Sequence, residues 1–276
     1  MVLAALLAQS DPQSRSWNQP VAPFRIAGNI YYVGATEITS FLIATPNGHI
    51  VVDGGFVETA PQILANIRAL GFRPEDVKVL LNSHAHLDHA GGLAALKKAT
   101  GASLQIMEGD DVQIEKGGRG DFAFGDRLTF PPVRVDKVLH DGDVVALGGT
   151  KLVARRTAGH TKGCTTWTLK VPDGGKIYDV VIVGSVNVNP GFILVGNKDY
   201  PQIAEDYVRT FKILQSLPVD VFLGAHGNYY GMEAKYTRIK AGAPNPFIDP
   251  DGYHAYLSER QRAFQAEWDK QKAAAK

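Results

Sequence analysis

Four residues that can bind a metal lie within six positions of the chain: His84, His86, Asp88 and His89. They follow an apolar run, residues 77–81, that has the composition of a buried strand. Two histidines two positions apart, on a segment leaving a strand end, point to the same side and can bind one metal ion. Asp88 and His89 begin a second cluster at the start of the next helix. Imidazole nitrogens and carboxylate oxygens are ligands that zinc accepts in open, catalytic sites.

Two further histidines occur in the same context, directly after predicted strands. His160 follows the strand at residues 151–157, and His226 follows the strand at residues 219–223. Each has a neighbouring glycine, which lets the backbone approach a metal closely. The remaining histidines lack this context, and we interpret them as surface or incidental: His49, His140 and His254.

The elements that position these residues follow from hydrophobic patterning. Short runs of β-branched and aromatic residues predict strands at residues 24–33, 40–52 (with a turn at 45–48), 77–81, 103–107, 133–138, 144–147, 151–157, 165–171, 178–183 and 219–223. Helical spacing predicts helices at about residues 58–70, 92–100, 200–217 and 258–276, and residues 108–132 are predicted to be a loop. Each half of the chain begins with β-hairpins and continues with strand–helix units. That order favours two mixed sheets packed face to face with helices outside, and a metal site at one edge.

Composition limits the class of protein. The 276 residues suffice for one large domain, and the net charge of +1 argues against a nucleic-acid or membrane-surface partner. No run approaches the roughly 18 apolar residues of a membrane span. Cys164 is the only cysteine, so neither an intramolecular disulfide nor a thiolate cluster can form. We expect a monomer that acts on a small molecule.

The N-terminal residues resemble the end of an export signal. Residues 1–10 are small and apolar, with an Ala-x-x-Ala-like end but no basic region. We predict a signal remnant and a loosely held arm over residues 1–22, a single domain over residues 23–276, and a periplasmic protein. The alternative is a short, frayed N-terminal segment.

The metal-binding pattern resembles the metallo-β-lactamase superfamily from about residue 24 to about residue 250. The motif His84-x-His86-x-Asp88-His89, followed by Gly159-His160-Thr161 and His226, carries the resemblance. It implies an αββα sandwich with two zinc ions at one edge. By matching positions, it implies one zinc on His84, His86 and His160. The second zinc is then held by Asp88, His89 and His226.

The segment after the strand at residues 178–183 distinguishes branches of this superfamily. Thioester and lactone hydrolases carry an aspartate there that bridges the metals, and one lactamase subclass carries a zinc-binding cysteine. Here the residue is Ser185, and no acid is nearby. Together with residues 61–76 and 159–167, this serine resembles the third subclass of class B β-lactamases (B3-type). Members often have a second serine two positions later, where this chain has Asn187.

The resemblance also implies roles for individual residues. Ser185, Asn187 and Phe192 would contact the substrate, and Asp88 would orient a hydroxide and transfer its proton. Asp53 would hydrogen-bond a ligand imidazole. Simpler alternatives stay open: a strand-end serine for Ser185, a turn-capping carboxylate for Asp53, and core packing for Phe192. We interpret Cys164 as an inert small hydrophobe.

The implied function is a zinc-dependent β-lactamase that confers antibiotic resistance. It would hydrolyse the lactam amide of penicillins, cephalosporins and carbapenems with a metal-bound hydroxide. One alternative is a thioesterase or lactonase of the same fold, and another is a zinc-binding protein without catalysis. A nuclease of this superfamily would need a basic groove or an added domain, and the sequence shows neither.

Overall fold

The computed structural model describes residues 12–275, which contain two β-sheets. The strands of the first sheet lie side by side in chain order: β1 Phe24–Ala27, β2 Ile30–Tyr32, β3 Phe41–Thr45, β4 Gly48–Val52, β5 Val77–Leu81, β6 Ser103–Met107 and β7 Lys137–Leu139. The second sheet has the order β12-β11-β10-β9-β8, with β8 Val144–Leu147, β9 Thr150–Arg156, β10 Thr165–Asp173, β11 Lys176–Val183 and β12 Val221–Gly224. Both sheets are mixed, because antiparallel hairpins are followed by parallel pairs at β4–β5 and β11–β12.

Helices cover the outer faces of the sheets. Their bounds are α1 Pro12–Trp17, α2 Ala60–Ala69, α3 Leu87–Ala90, α4 Leu93–Thr100, α5 Asp111–Glu115, α6 Ile203–Gln215, α7 Met232–Lys240 and α8 Pro250–Ala274. Strand β4 shows the layering: Ile50 and Val52 pack between the sheets, whereas Val51 packs in the cluster that contains Ile63 and Ile67 of α2. Strands buried on both faces are typical of a sheet covered by helices. The predicted αββα sandwich is confirmed.

Several predicted boundaries are wrong. The strand at residues 133–138 is only Lys137–Leu139, because pairing with β6 begins at Lys137. The backbone N–H of Val135 instead donates to Glu115 Oε1. The predicted loop at 108–132 contains the short helix α5, and α7 was not predicted. Helix α8 begins at Pro250 rather than near residue 258, since Asp249 caps it by accepting a hydrogen bond from the N–H of Gly252.

The N-terminal arm is held against the domain, contrary to the prediction of a loose segment. The N–H groups of Glu37 and Ile38 donate to the carbonyl of Trp17 at 2.9 and 3.2 Å, and that of Thr36 donates to Gln19 at 3.0 Å. The predicted signal remnant falls at residues 1–10, outside the described residues. In the part of the chain that is described, no helix combines the length and apolar character of a membrane span.

Candidate metal centre

The metal-binding residues lie at one edge of the sandwich because parallel strands end there together. Strands β4 and β5 are parallel, so Asp53 and His84 leave neighbouring strand ends. In the second sheet, β9 and β11 run the same way through β10, and β12 is parallel to β11. His160 and His226 therefore emerge at the same edge. The two sheets join there through a bridge between Ile38 and His226 and through the N–H of Thr165, which donates to Ser83 at 2.7 Å.

His84, His86 and His160 form the first group of the centre. All three are buried, and each offers a nitrogen atom within 4.8 Å of the others. Their ring centroids lie 4.7 to 4.9 Å apart. The structure thus brings together the three histidines that were predicted to hold one zinc.

Asp88, His89 and His226 form the second group. Asp88 Oδ2 lies 3.3 Å from His89 Nε2 and 3.5 Å from His226 Nε2, and the two histidine nitrogens are 3.1 Å apart. The rings of His84 and His89 have centroids 4.1 Å apart, so the two groups share a border. A ligand atom of His84 is also within 4.8 Å of those of Asp88 and His89.

Hydrogen bonds to the far ring nitrogens orient the imidazoles. His160 Nδ1 donates to the carbonyl of Asn187 at 2.8 Å, and His84 Nδ1 lies 3.1 Å from Ser83 Oγ. These contacts leave Nε2 available, as is typical of histidines that bind a metal. The His86 ring also has a buried nitrogen, Nε2, that has no hydrogen-bond partner among the described residues. The donor set and these free nitrogens fit zinc.

Asp53 orients an imidazole of the second group, that of His89. Its carboxylate accepts hydrogen bonds from the N–H of Ser83 at 2.6 Å and from Asn82 Nδ2 at 2.8 Å, and its Oδ2 lies 3.3 Å from His89 Nδ1. Asp53 is the only non-glycine residue with positive φ (67°) in the described chain. The strained turn directs the carboxylate to both the His89 ring and the start of the metal-binding loop.

Electrostatics keep most of the cluster in the form that binds metal. Burial lowers the pKa of His86 to about 4 and those of His160 and His226 to about 3, so these imidazoles are neutral at pH 7. Burial also disfavours protonation of His89, but the carboxylates of Asp88 and Asp53 outweigh it and raise its pKa to about 10. Burial by itself would raise the pKa of Asp88. The neighbouring histidines outweigh this effect and hold its pKa well below its usual range. When no metal is bound, Asp88 and Asp53 thus favour the protonated form of His89, and a metal ion must displace that proton.

A cavity of about 310 Å³ opens over the two groups. Trp17, Phe56, Phe124 and Leu128 contribute apolar walls, and its polar lining comes from His84, His86, Asp88, His160, His226, Asn187, Asn189, Asn228, Ser14 and Tyr229. Small-molecule sites usually combine apolar walls with convergent polar groups, and here the metal-binding side chains make the polar share large.

The predicted substrate-binding residues occupy different places. Asn187 lines the cavity, and its Nδ2 donates to Tyr229 Oη at 3.1 Å. Ser185 is fully buried behind it, with Oγ 3.1 Å from Tyr229 Oη. Phe192 is 3% exposed and packs near the His160 ring, with centroids 5.7 Å apart. Neither Ser185 nor Phe192 is among the residues that line the cavity.

The comparison with family models decides the affiliation. The metallo-beta-lactamase superfamily model matches residues 33–226, which include all six metal-binding side chains. The chain belongs to the metallo-β-lactamase superfamily.

Solved structures of this superfamily match nearly the whole chain. The FEZ-1 metallo-β-lactamase from Legionella gormanii is 46% identical, has a TM-score of 0.91, and covers 92% of this chain and 98% of its own. BJP-1, a subclass B3 metallo-β-lactamase of Bradyrhizobium japonicum, is 39% identical with a TM-score of 0.88, covering 98% of this chain and 100% of its own. The predicted B3-type relationship is confirmed.

Curated relatives include other hydrolases of the superfamily. The match covers 36% of a probable metallo-hydrolase from Burkholderia pseudomallei at 34% identity. It covers 31% of an N-acyl homoserine lactonase from Rhizobium radiobacter, which is 38% identical over 22% of this chain. An acyl-coenzyme A thioesterase from Gallus gallus is 26% identical over 75% of this chain and 78% of its own. The chain thus spans about a third of the first two of these relatives.

Sequence reasoning missed several residues of this metallo-β-lactamase site. Trp17 reaches the cavity from α1, with its ring centroid 5.4 Å from that of His226. Phe124 enters from the long loop, and Tyr229 from the turn after His226. The only sequence signal was the presence of aromatic residues in otherwise polar segments. Of the histidines interpreted as incidental, His49 is buried in β4 against Phe72, away from the metal centre.

Proposed function

We propose that this metallo-β-lactamase homologue is a zinc-dependent β-lactamase that binds two zinc ions and opens the lactam ring of penicillins, cephalosporins and carbapenems. The observation that carries the proposal is the combination of six metal-binding side chains with Ser185 after strand β11. A superfamily thioesterase or lactonase is expected to have a bridging aspartate there. In this chain the position is occupied by a buried hydroxyl that is bonded to Tyr229. The similarity to β-lactamases over almost the whole chain supports the same conclusion.

When bound, zinc supplies a Lewis acid and lowers the pKa of a bound water to about 7. The remaining tasks belong to side chains of this protein. Asp88 is ionised, partly exposed to the cavity, and flanked by His89 and His226. As an ionised carboxylate it can accept a hydrogen bond from the attacking water and orient it, and the proton that the water loses would be passed to the lactam nitrogen as the ring opens.

Other side chains of the cavity bind and orient the substrate. The amides of Asn187 and Asn228 face the cavity and can donate to the carboxylate that β-lactams carry. Phe56, Phe124 and Trp17 exclude water from the reacting atoms and pack against the fused rings. No side chain is required as a nucleophile, which agrees with the burial of Ser185.

Hydrolysis of a carbapenem by the purified protein, followed by ultraviolet absorbance with and without a chelator, tests the proposal. We expect turnover that the chelator abolishes and added zinc restores. His160→Ala removes a buried member of the first group and should abolish turnover, whereas His140→Ala changes an exposed histidine outside the cavity and should not. Absence of turnover on a carbapenem, a penicillin and a cephalosporin in zinc-replete protein would overturn the proposal.

A lactonase or thioesterase is the second candidate, because curated relatives of both kinds align with this chain. N-acyl homoserine lactone and acyl-coenzyme A substrates test it under the same conditions. Periplasmic location, monomeric state and a role in resistance also stay predictions. Export of the protein, its mass in solution, and the drug tolerance of cells that express it would test each in turn.

A further inference from the structure

Asp110, which the sequence reading did not single out, carries a buried carboxylate beside the metal centre. It is 2% exposed and directly precedes helix α5. Its Oδ2 accepts hydrogen bonds from the N–H of Ala85 at 2.9 Å and from Thr161 Oγ1 at 2.7 Å. Its Oδ1 accepts one from the N–H of Gly163 at 2.7 Å.

These three donors belong to the two loops that carry the first group. Ala85 lies between His84 and His86, and Thr161 directly follows His160. One carboxylate therefore connects segments that come from different sheets. Without it, three buried donors would lose their acceptor, and a buried donor without a partner is costly.

The backbone around Asp110 leaves little freedom. A Cβ atom placed on Gly163 would lie 2.4 Å from the nitrogen of Asp110, and one placed on Gly109 would lie 2.9 Å from the carbonyl of Lys162. Gly109 also has a φ of 99°, which disfavours other residues. The segment before α5 and the loop after His160 thus pack backbone against backbone. Neither loop has room for a side chain at these glycines, so the two backbones are held at close distance beside the carboxylate.

The charge of Asp110 is not neutralised by an ion pair. Across residues 12–275, no lysine or arginine forms a salt bridge with it, and the hydrogen-bond donors to its carboxylate are all neutral groups. An uncompensated anion next to the loops of the first group favours a cation bound there.

We propose that Asp110 is a positioning residue that sets the separation of the His84–His86 loop from the His160 loop, and so determines the zinc affinity of the first group. It does not contact the metal. The inference depends on metal binding at this group but not on which bond the enzyme hydrolyses. It therefore survives if the β-lactamase proposal fails.

Zinc binding to graded variants tests the inference. Thr161→Val removes one hydroxyl donor, Asp110→Asn replaces one acceptor oxygen by a donor, and Asp110→Ala removes the carboxylate. Glu108→Ala is the matched control, since this nearby carboxylate is exposed and pairs only with the exposed His140. Folding is checked by circular dichroism, and Zn²⁺ affinity is measured by competition with a chromophoric chelator. Loading with ¹¹³Cd²⁺ and recording its resonance separates the three-histidine group from the group that contains a carboxylate.

We expect affinity at the first group to fall by about 10- to 100-fold in Asp110→Ala, the usual effect of removing a residue that orients metal ligands. The loss should be smaller in Asp110→Asn and only several-fold in Thr161→Val, with the second group and the Glu108→Ala control unchanged. An equal loss at both groups, or no loss in any variant, overturns the inference. If Asp110→Ala does not fold, Thr161→Val decides, because it keeps the carboxylate and the backbone bonds.

Discussion

Replacing Asp53 by asparagine changes the hydrogen-bond partner of His89, a member of the second metal group, while keeping the size of the side chain. Asp53 accepts from the N–H of Ser83 through Oδ1, while Oδ2 faces His89 Nδ1. Asparagine tolerates the positive φ of this position, so the turn is retained. If its carbonyl keeps the bond to Ser83, its amide N–H₂ faces the N–H of His89. Two donors then oppose each other, and His89 shifts its proton to Nε2, the nitrogen that would bind zinc.

The expected loss of zinc affinity follows from the loss of the hydrogen bond that orients the His89 ring. Removing a partner of a metal-bound histidine weakens metal binding by about 10- to 100-fold. At about 1.4 kcal/mol per factor of ten, that is about 1.4 to 2.8 kcal/mol. Ser83 keeps its acceptor, but the metal-free protein loses a carboxylate that raises the pKa of His89, so its free energy of unfolding should also fall.

The assay is a Zn²⁺ competition titration of Asp53→Asn against the wild-type protein, with denaturant unfolding of both metal-free forms. Asp251→Asn is the control, an exposed aspartate in the first turn of α8. We expect the zinc affinity of the second group to fall 10- to 100-fold and turnover to require added zinc. If Asp53→Asn binds both ions as tightly as wild type, the reasoning about His89 is refuted.

Three further predictions concern residues that are not metal ligands. Burial raises the pKa of the fully buried Cys164 thiol, so iodoacetamide should label the protein only after unfolding; rapid labelling of the native protein would contradict this. Tyr229→Phe removes the hydroxyl that accepts a hydrogen bond from the Asn187 amide. The loss of about 1 kcal/mol of binding energy should raise KM for a β-lactam about five-fold and leave kcat within two-fold of wild type. An unchanged KM would show that this contact does not act in substrate binding. Asp249→Ala removes the cap of α8 and the partner of the buried Lys235, and should lower the free energy of unfolding by about 2 to 3 kcal/mol in a urea titration while zinc affinity stays the same.

The metal ligands could be predicted because their signal is local. His84, His86, Asp88 and His89 lie in one short segment, and no packing role explains such a run. His226 was found because it follows an apolar strand and is flanked by small residues. Parallel strands that end at one edge then bring distant segments together, as the structure shows.

The residues that surround the ligands could not be predicted in the same way. Asp110 looks like any acidic loop residue, and only the folded chain places it between the loops that carry Ala85 and Thr161. Phe192 lies in a loop without periodicity, so the sequence could not show that its ring is buried.

The wrong predictions of where strand β7 and helix α8 begin also have physical causes. The β-branched residues after Pro132 favoured a strand from residue 133, yet a strand needs a partner, and of the residues in this segment β6 pairs only with Lys137–Leu139. The beginning of α8 was missed because Gly252 interrupts the helical pattern. Its cap, Asp249, and Pro250 at the first position are the signals that define the true start.

The central claim is that this metal centre acts on lactams rather than on lactones or thioesters. The most direct test compares kcat/KM of one zinc-loaded preparation for a penicillin, an N-acyl homoserine lactone and an acyl-coenzyme A thioester. The account predicts that kcat/KM for the penicillin exceeds the other two by at least about 100-fold, equivalent to about 2.7 kcal/mol of transition-state stabilisation. A higher kcat/KM for the lactone or the thioester would contradict it, even though the fold and the six metal-binding side chains would stand.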